Sequence, residues 1–269
     1  PEYATPSANT LSHERYLTSV ESRTVRVDIF KAAGSVTNHI EKITVTDKAT
    51  NKVIKTIEFT HSAFNPPAEN PYSKKKLDEI RIYGENHRLD QTYSFDYYNP
   101  QGVPAANCRG VDHWGYYTGI NPSTAVPLQE IDCLYYHEDG GWAGSDTRHL
   151  QIGSAGKSPN DCSQYGLLKS VTFPTGRKST FHYEQNRRKD YDGAVELTGG
   201  NRIGKIEEFD PVSGATVTRT FKYGLNEDGG GYLSREVTLD DYMYEYLNYG
   251  YPSDMESYTL ADITRIRIY

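Results

Sequence analysis

The sequence predicts an all-β protein in which repeated antiparallel β-hairpins form a large twisted sheet, with an irregular insert. Three observations support this fold class. Four stretches alternate apolar and polar residues on both sides of a turn, which is the period of a half-buried strand. The 269 residues include 23 tyrosines against 8 phenylalanines, and tyrosine suits a pleated surface with a wet edge. Only the segments 234–247 and 259–263 are candidates for a helix.

The four stretches follow one template of strand, turn and strand, and each ends in aromatic residues. An apolar residue opens each unit and a second one follows three positions later, as Leu168 and Val171 do in the third unit. The units cover residues 39–60, 77–98, 167–184 and 203–224, with turns at 47–51, 84–86, 174–176 and 210–214. The opening pairs are Ile40 and Ile43, Leu77 and Ile80, Leu168 and Val171, and Ile203 and Ile206, and the closing aromatic residues include Phe59, Tyr97, Tyr183 and Tyr223.

Period-two alternation around a Gly, Asn or Pro turn is the strongest sequence signal of a β-hairpin. In the third unit, Pro174 sets φ at the first central position and Gly176 supplies permissive dihedrals after it. Four unrelated hairpins in an ordinary sandwich are one interpretation. We favour a repeat architecture, because the template recurs in detail and a lone hairpin cannot cover its apolar face, so that successive units must stack.

Further strands are expected on either side of the repeats. Residues 24–30, 231–239 and 262–269 alternate in the same way, and the last of these resembles the opening half of another unit. We therefore expect the chain to be a section of a longer protein. Its predicted parts, within one continuous structure, are hairpin repeats over 1–98, the insert over 99–165 and hairpin repeats over 166–269.

The insert contains both tryptophans and all three cysteines. Its segments 109–123 and 135–149 place aromatic rings beside carboxylates and amides. A ring can cover the apolar face of a pyranose while polar neighbours bind its hydroxyls, so these segments predict a sugar-binding surface. The alternative is that the rings build the local core of a loop-rich region. The candidate ligand-binding residues are Asp112, His113, Trp114, Tyr116, Tyr117 and Trp142.

No pattern in the chain indicates an enzyme active site, and we expect no catalytic residues. His113 with Asp112 and His137 with Glu138 are the nearest approach to catalytic pairs, but adjacent residues of a strand point to opposite faces. Nucleophile-elbow, zinc-protease and phosphate-loop motifs do not occur. Two carboxylates that lie far apart in the sequence stay open as the basis of a glycan-processing enzyme.

No cofactor or metal site is predicted, although calcium binding stays open at two acidic, glycine-rich segments. Asp139 with Asp146, and the 226–228 segment before three glycines, offer oxygen ligands without EF-hand spacing. Such segments are more often simple turns. The cysteines Cys108, Cys133 and Cys162 allow one disulfide, whose pairing the sequence does not define, or free buried thiols.

Charge and apolar content limit the partners. The net charge of -7 and a pI of about 5.6 disfavour a general nucleic-acid binder, which needs a positive footprint. The basic clusters at 74–76 and 187–189 adjoin turn-forming residues, so we expect them to be solvated loop charges. No run of about 18 apolar residues occurs, and no membrane span is therefore predicted.

The third unit resembles the YD repeat of RHS-family proteins, in which a unit begins near Gly-x-Leu, passes a turn glycine and ends in Tyr and an acidic residue. Gly166, Leu168, Gly176, Tyr183 and Glu184 occupy these places. The fourth unit departs from the pattern because Gly224 follows its tyrosine, and the second departs as well, with Tyr98 after Tyr97. The segment 112–119 resembles an insert of large bacterial surface proteins with degenerate RHS-like repeats.

The resemblance implies an exported bacterial protein, extracellular or at the cell surface, whose hairpins form part of an RHS-like shell. Such shells enclose a toxin domain or support surface contact. It therefore implies a non-catalytic structural or interaction module, whose partner is a surface glycan or another domain of the same parent chain. The family's self-cleaving aspartate site is not matched, and no catalytic residue is transferred.

Overall fold

The computed structural model describes residues 16–32, 39–65, 74–136, 145–189, 192–224, 227 and 229–231, with backbone only for 129–136 and 145–152. These residues form β-strands and short 3-10 segments and contain no α-helix, which confirms the all-β prediction. The strands are β1 (Ser19–Glu21), β2 (Val25–Lys31), β3 (Ile40–Asp47), β4 (Lys52–Ala63), β5 (Lys75–Tyr83), β6 (Leu89–Tyr97), β7 (Gln129–Tyr136), β8 (Ser145–Ile152), β9 (Leu168–Thr172), β10 (Lys178–Lys189), β11 (Val195–Phe209), β12 (Thr216–Thr220) and β13 (Gly230–Gly231). The 3-10 segments are Glu85–His87, Pro100–Gly102 and Asp161–Gln164.

The first of two compact units combines Pro1–Ser62 with Leu77–Ser94. Its strands are hydrogen-bonded in the order β1-β2-β3-β4-β5-β6, so each strand pairs with its sequence neighbour. The pairs β1–β2, β2–β3, β3–β4 and β5–β6 are antiparallel. Template positions pair across these ladders: Ile43 lies opposite Ile57, and Ile80 lies opposite Tyr93. This unit is therefore an antiparallel meander that contains the first two predicted hairpins.

The second unit combines Ala63–Lys76 with Phe95–Tyr269. Its strand order begins at the end of β6 and continues β9-β10-β11-β12, and β13 pairs with β10 in parallel. The predicted third and fourth hairpins are β9–β10 and β11–β12, and both are antiparallel. Strands β7 and β8 form a separate antiparallel hairpin within the insert.

The predicted turns are confirmed where the strands reverse. Between β9 and β10, the amide of Gly176 donates to Phe173 O at 2.8 Å, and the amide of Phe173 donates to Arg177 O at 2.8 Å. Gly176 has a φ of 80°, which a residue with a side chain adopts only under strain. The glycine that the template placed after Pro174 is thus required by the hairpin.

The apolar core is shallow, in keeping with the high tyrosine content. Among the described residues, the fully buried apolar side chains are those of Val103, Val126 and Ala155, and all three lie in the insert. The strands instead bury polar residues such as Ser170 and Ser179 and leave their apolar residues half-buried or exposed. The insert is therefore packed locally.

Two features differ from expectation. The basic clusters are not loop charges: Lys75 and Lys76 lie in β5, and Arg187, Arg188 and Lys189 lie in β10. The strands continue through both clusters because their backbones stay paired, as Arg187 does with Leu197. The insert also contains the β7–β8 hairpin, which the sequence pattern did not predict.

Some predictions fall outside the described part of the chain. These are the candidate helices at 234–247 and 259–263, the strand at 262–269 and nearly all of the strand at 231–239. The strand predicted at 24–30 is confirmed as β2. Within the described residues, no helix is long and apolar enough to cross a membrane.

Candidate functional site

Asp112 organises the loop that carries the predicted aromatic residues. Its side chain is 3% exposed, and its Oδ1 accepts hydrogen bonds of 2.9 Å from the backbone amides of Trp114 and Tyr116. The amide of Asp112 in turn donates to Tyr116 O at 2.8 Å. A carboxylate that accepts two amide hydrogens fixes the turn, as aspartate commonly does beside its own backbone. Asp112 therefore positions Trp114 and Tyr116.

Lys157 and His113 surround the same carboxylate. Lys157 Nζ donates to Val111 O at 2.9 Å. Burial lowers the pKa of Lys157, and the charge of Asp112 opposes that effect. Burial, followed by the charge of Lys157, also lowers the pKa of His113, which favours its neutral form. Asp112 Oδ2 is buried without a hydrogen-bond partner among the described residues. The carboxylate therefore acts on Lys157 through its charge, which raises the pKa of the lysine.

Two glycines of β11 receive the aromatic side chains of this loop. A Cβ on Gly199 would lie 2.6 Å from Trp114 Cε3, and a Cβ on Gly200 would lie 2.9 Å from the Tyr116 ring. Both distances are shorter than van der Waals contact, so a side chain at either position would force the neighbouring ring to move. The rings of Trp114 and Tyr116 are thus seated directly on the β11 backbone.

The sheet is irregular at this point. Gln185 pairs with Asn201 and Arg187 pairs with Leu197, so the three residues 198–200 of β11 face Asn186 alone. Asn186 Nδ2 donates to Gly199 O at 3.1 Å and occupies the gap in the ladder. Bulges of this kind bend a strand and often adjoin functional sites. Here the bulge lies directly beneath Trp114.

A cleft of about 350 Å³ opens beside Trp114, within the second unit. Trp114 is 41% exposed, although its ring lies against Gly199. The cleft combines an aromatic ring, arginines from two neighbouring strands and a glycine wall. Its lining residues are Trp114, Asn186, Arg187, Arg188, Thr198, Arg202, Gly224, Gly230 and Gly231.

The arginines of the cleft differ in their partners. Arg202 Nε donates to Glu184 Oε1 at 2.7 Å, and Arg202 Nη1 donates to Gly229 O at 3.0 Å. The guanidinium of Arg202 lies 4.4 Å from the centroid of the Tyr223 ring. Arg188 pairs with Glu196 at 2.7 Å. Arg187 has no ion-pair partner among the residues that the structure describes. Of the three, Arg187 carries the uncompensated positive charge.

The predicted site residues separate into different environments. Trp114 lines the cleft, whereas Tyr116 is seated on Gly200 and Asp112 supports the loop from inside. His113 stacks edge-on with Trp114, with ring centroids 5.8 Å apart, and Tyr117 lies 6.2 Å from the Tyr165 ring. Trp142 lies outside the described residues. The prediction therefore placed Trp114 at a groove and missed the arginines around it.

The cysteines of the insert are free where their side chains are described. Cys108 and Cys162 are half-buried thiols, and the side chain of Cys133 is not among those described. Burial raises the pKa of Tyr117, which lies beside both sulfurs. Cys162 lies against Gly119, where a Cβ would come within 2.8 Å of its sulfur. These thiols pack the insert around Tyr117.

The described residues contain no group of three or more His, Cys, Asp or Glu side chains that could hold a metal ion. Of the residues proposed for calcium, Asp139, Asn226 and Asp228 lie outside the described part, and the side chain of Asp146 does as well. Glu227 is described, and its carboxylate pairs with Lys222.

The described residues thus form an all-β fold of antiparallel hairpins, with a cleft lined by an aromatic ring and arginines. Comparisons with protein-family models, with curated proteins and with solved structures gave no match for this chain.

Proposed function

We propose that this chain is a non-catalytic interaction module of an exported, RHS-like repeat protein, acting in surface contact or in a β-shell. One recurring contact supports the proposal. Tyr183 Oη donates to Leu168 O at 2.9 Å, and Tyr223 Oη donates to Ile203 O at 2.7 Å. In both units the closing tyrosine holds the residue that opens the same unit. A shared internal contact is what repetition of one structural template requires.

The proposal places the module outside the cell, where its partner is a surface glycan or another domain of the parent chain. Export is tested by treating intact source bacteria with proteinase K and probing with an antibody against residues 166–224. Loss of the antigen from intact cells, with a cytoplasmic marker retained, is the expected result. Protection of the antigen until the cells are lysed would contradict the proposal.

A second candidate function is carbohydrate binding, which the exposure of Trp114 at the cleft favours. An exposed indole that the surrounding backbone holds in place offers a flat apolar surface. The apolar face of a pyranose can pack on that surface at low entropic cost. A glycan array probed with the wild-type chain and with Trp114→Ala tests this function. Phe209→Ala is the matched control, because Phe209 is 42% exposed and does not line the cleft. Binding that survives Trp114→Ala would contradict this function.

A further inference from the structure

The geometry points to an acidic saccharide as the ligand of the cleft: a pyranose residue whose ring lies on Trp114 and whose carboxylate pairs with Arg187. This inference rests on the second candidate function and specifies its ligand. It goes beyond the aromatic residues that the sequence singled out, because it is based on the charges that surround Trp114.

The first step concerns charge. Among the described residues that line the cleft, the ionisable ones are three arginines. Glu184 and Glu196 compensate Arg202 and Arg188, and Arg187 is left without an ion-pair partner in the described part of the chain. The whole chain has a net charge of -7, so a positive cleft runs against its general charge. A local positive field in such a protein attracts a small anion and does not attract polyanions in general.

The second step concerns the rigidity of the cationic side. Arg202 is 16% exposed in its side chain and is fixed by Glu184, Gly229 and Tyr223. The segment that contributes the glycine wall is held in turn, because Gly230 and Gly231 pair with Arg187 and Arg188 of β10. The guanidinium of Arg187 therefore projects from a backbone that is paired on both sides, with Leu197 and with Gly230. Such preorganisation lowers the cost of binding.

The third step selects the chemical class. A guanidinium forms two parallel hydrogen bonds with a planar carboxylate, which a lysine in its place cannot do. An indole beside it needs a partner with an apolar face, which a pyranose ring has and a bare inorganic anion lacks. A volume of about 350 Å³ lies at the lower end of ligand pockets, which span about 300 to 1,000 Å³. One acidic sugar residue combines these properties.

The test is calorimetric titration of the full chain with tetrameric oligogalacturonate, oligoglucuronate and oligomannuronate. Carboxyl-reduced forms of the same oligomers are the neutral controls, and a carboxyl-reduced chondroitin sulfate tetramer supplies a sulfate ester without a carboxylate. We expect at least one uronate to bind about tenfold or more tightly than its reduced form, because a charge-assisted pair is lost on reduction. Added salt should weaken the binding of the uronate and leave that of the reduced form unchanged.

Variants assign this preference to the cleft. Arg187→Gln removes the charge, keeps a hydrogen-bonding side chain of similar length, and should abolish the preference for the uronate. Arg219→Gln is the matched control, because Arg219 is an exposed strand arginine of β12 that does not line the cleft. Circular dichroism of each variant verifies that the fold is retained.

The outcomes distinguish failure of the acidic ligand from failure of carbohydrate binding at the cleft. Equal binding of the uronate and its reduced form, with both lost in Trp114→Ala, would overturn the acidic ligand and support carbohydrate binding at the cleft. Tighter binding of the sulfated tetramer than of every uronate would overturn the carboxylate. A uronate preference that persists in Arg187→Gln would overturn the role of Arg187. Absence of binding by every oligomer would overturn both the ligand and the second candidate function.

Discussion

The phenol of Tyr183 donates a 2.9 Å hydrogen bond to the backbone carbonyl of Leu168, which opens the hairpin that Tyr183 closes. Tyr223 makes the same bond to Ile203 in the next predicted unit. The two tyrosines thus connect strand ends that are 15 and 20 residues apart in sequence. Because the apolar core is shallow, these two hydrogen bonds contribute a larger part of the contacts that hold the strands of each unit together.

We predict that Tyr183→Phe lowers the free energy of unfolding by about 1 kcal/mol, because the Leu168 carbonyl loses its hydrogen-bond donor while the ring is kept. Denaturant unfolding followed by circular dichroism measures the change. Tyr116→Phe is the control, since no hydrogen bond of the Tyr116 hydroxyl is found among the described residues, and it should change stability by less than about 0.5 kcal/mol. Equal effects of the two substitutions on stability would contradict a structural role of the hydrogen bond from Tyr183 to Leu168.

The stability of the chain should fall at alkaline pH. Burial raises the pKa of Tyr183, Tyr98 and Tyr117 above the ordinary value of 10.0. A raised pKa in the folded state means that the unfolded chain releases these protons first as the pH rises. The contribution of the tyrosines is therefore complete below pH 10 and is lost as the pH rises through their folded pKa values.

The measurement is the free energy of unfolding at a series of pH values from about 8 to about 11. Wild type should lose stability over the upper part of this range, and Tyr183→Phe should lose less, because one of the responsible groups has been removed. If both proteins show the same slope, or if stability rises above pH 10, the pKa of Tyr183 is not raised by folding.

Much of the fold could be predicted because a hairpin is encoded locally. The alternation on each side of Pro174 and Gly176 contains nearly all that is needed to define β9 and β10. The β7–β8 hairpin could not be recognised because β8 is polar over Ser145 to His149 and offers no alternation. A strand whose own sequence shows no alternation can still join an antiparallel ladder when its partner strand supplies the apolar residues.

The candidate site was less predictable because it is assembled from distant segments. Trp114, Arg187 and Gly230 come from three separate parts of the chain, and only pairing in the sheet brings them to one cleft. The sequence predicts a loop charge at Arg187 because turn-forming residues adjoin the 187–189 cluster, whereas pairing with β11 extends the strand through it. The one local signal was the Gly199-Gly200 pair, since glycines inside a strand indicate close approach by another group.

We predict that Gly199→Ala displaces Trp114. The new Cβ would lie within 2.7 Å of Cβ, Cδ2 and Cε3 of Trp114, and the β11 backbone cannot move away without breaking the β10–β11 ladder. Overpacking of this kind costs about 1 to 3 kcal/mol. In a Trp142→Phe background, where Trp114 is the one remaining tryptophan, its emission should shift to longer wavelength as the ring moves toward water.

Gly84→Ala is the matched control for this substitution, because no atom lies within 4 Å of a Cβ at that position. It should leave the fluorescence and the stability of the chain close to wild type. A Gly199→Ala variant as stable as Gly84→Ala, with unchanged emission, would show that Trp114 is not seated on β11.

Substitutions of Asp112 can separate the effect of its hydrogen bonds on the loop from the effect of its negative charge. We predict that Asp112→Ala lowers the free energy of unfolding by about 2 to 3 kcal/mol, because the amides of Trp114 and Tyr116 both lose their acceptor inside the protein. Asp112→Asn should cost less, since its amide oxygen can accept the same two hydrogen bonds. The asparagine removes the negative charge that opposes the effect of burial on Lys157, so the pKa of Lys157 should fall further.

Denaturant unfolding gives the two stabilities, and the pKa of Lys157 is followed by NMR of selectively labelled lysine side chains. Limited proteolysis provides an independent measure of the loop, because residues 109–119 should be cleaved sooner in Asp112→Ala than in Asp112→Asn. If the two variants are equally stable and equally resistant, the aspartate acts on the loop through its charge and not through its hydrogen bonds. The pKa of Lys157 should fall in both variants, since both remove the same negative charge.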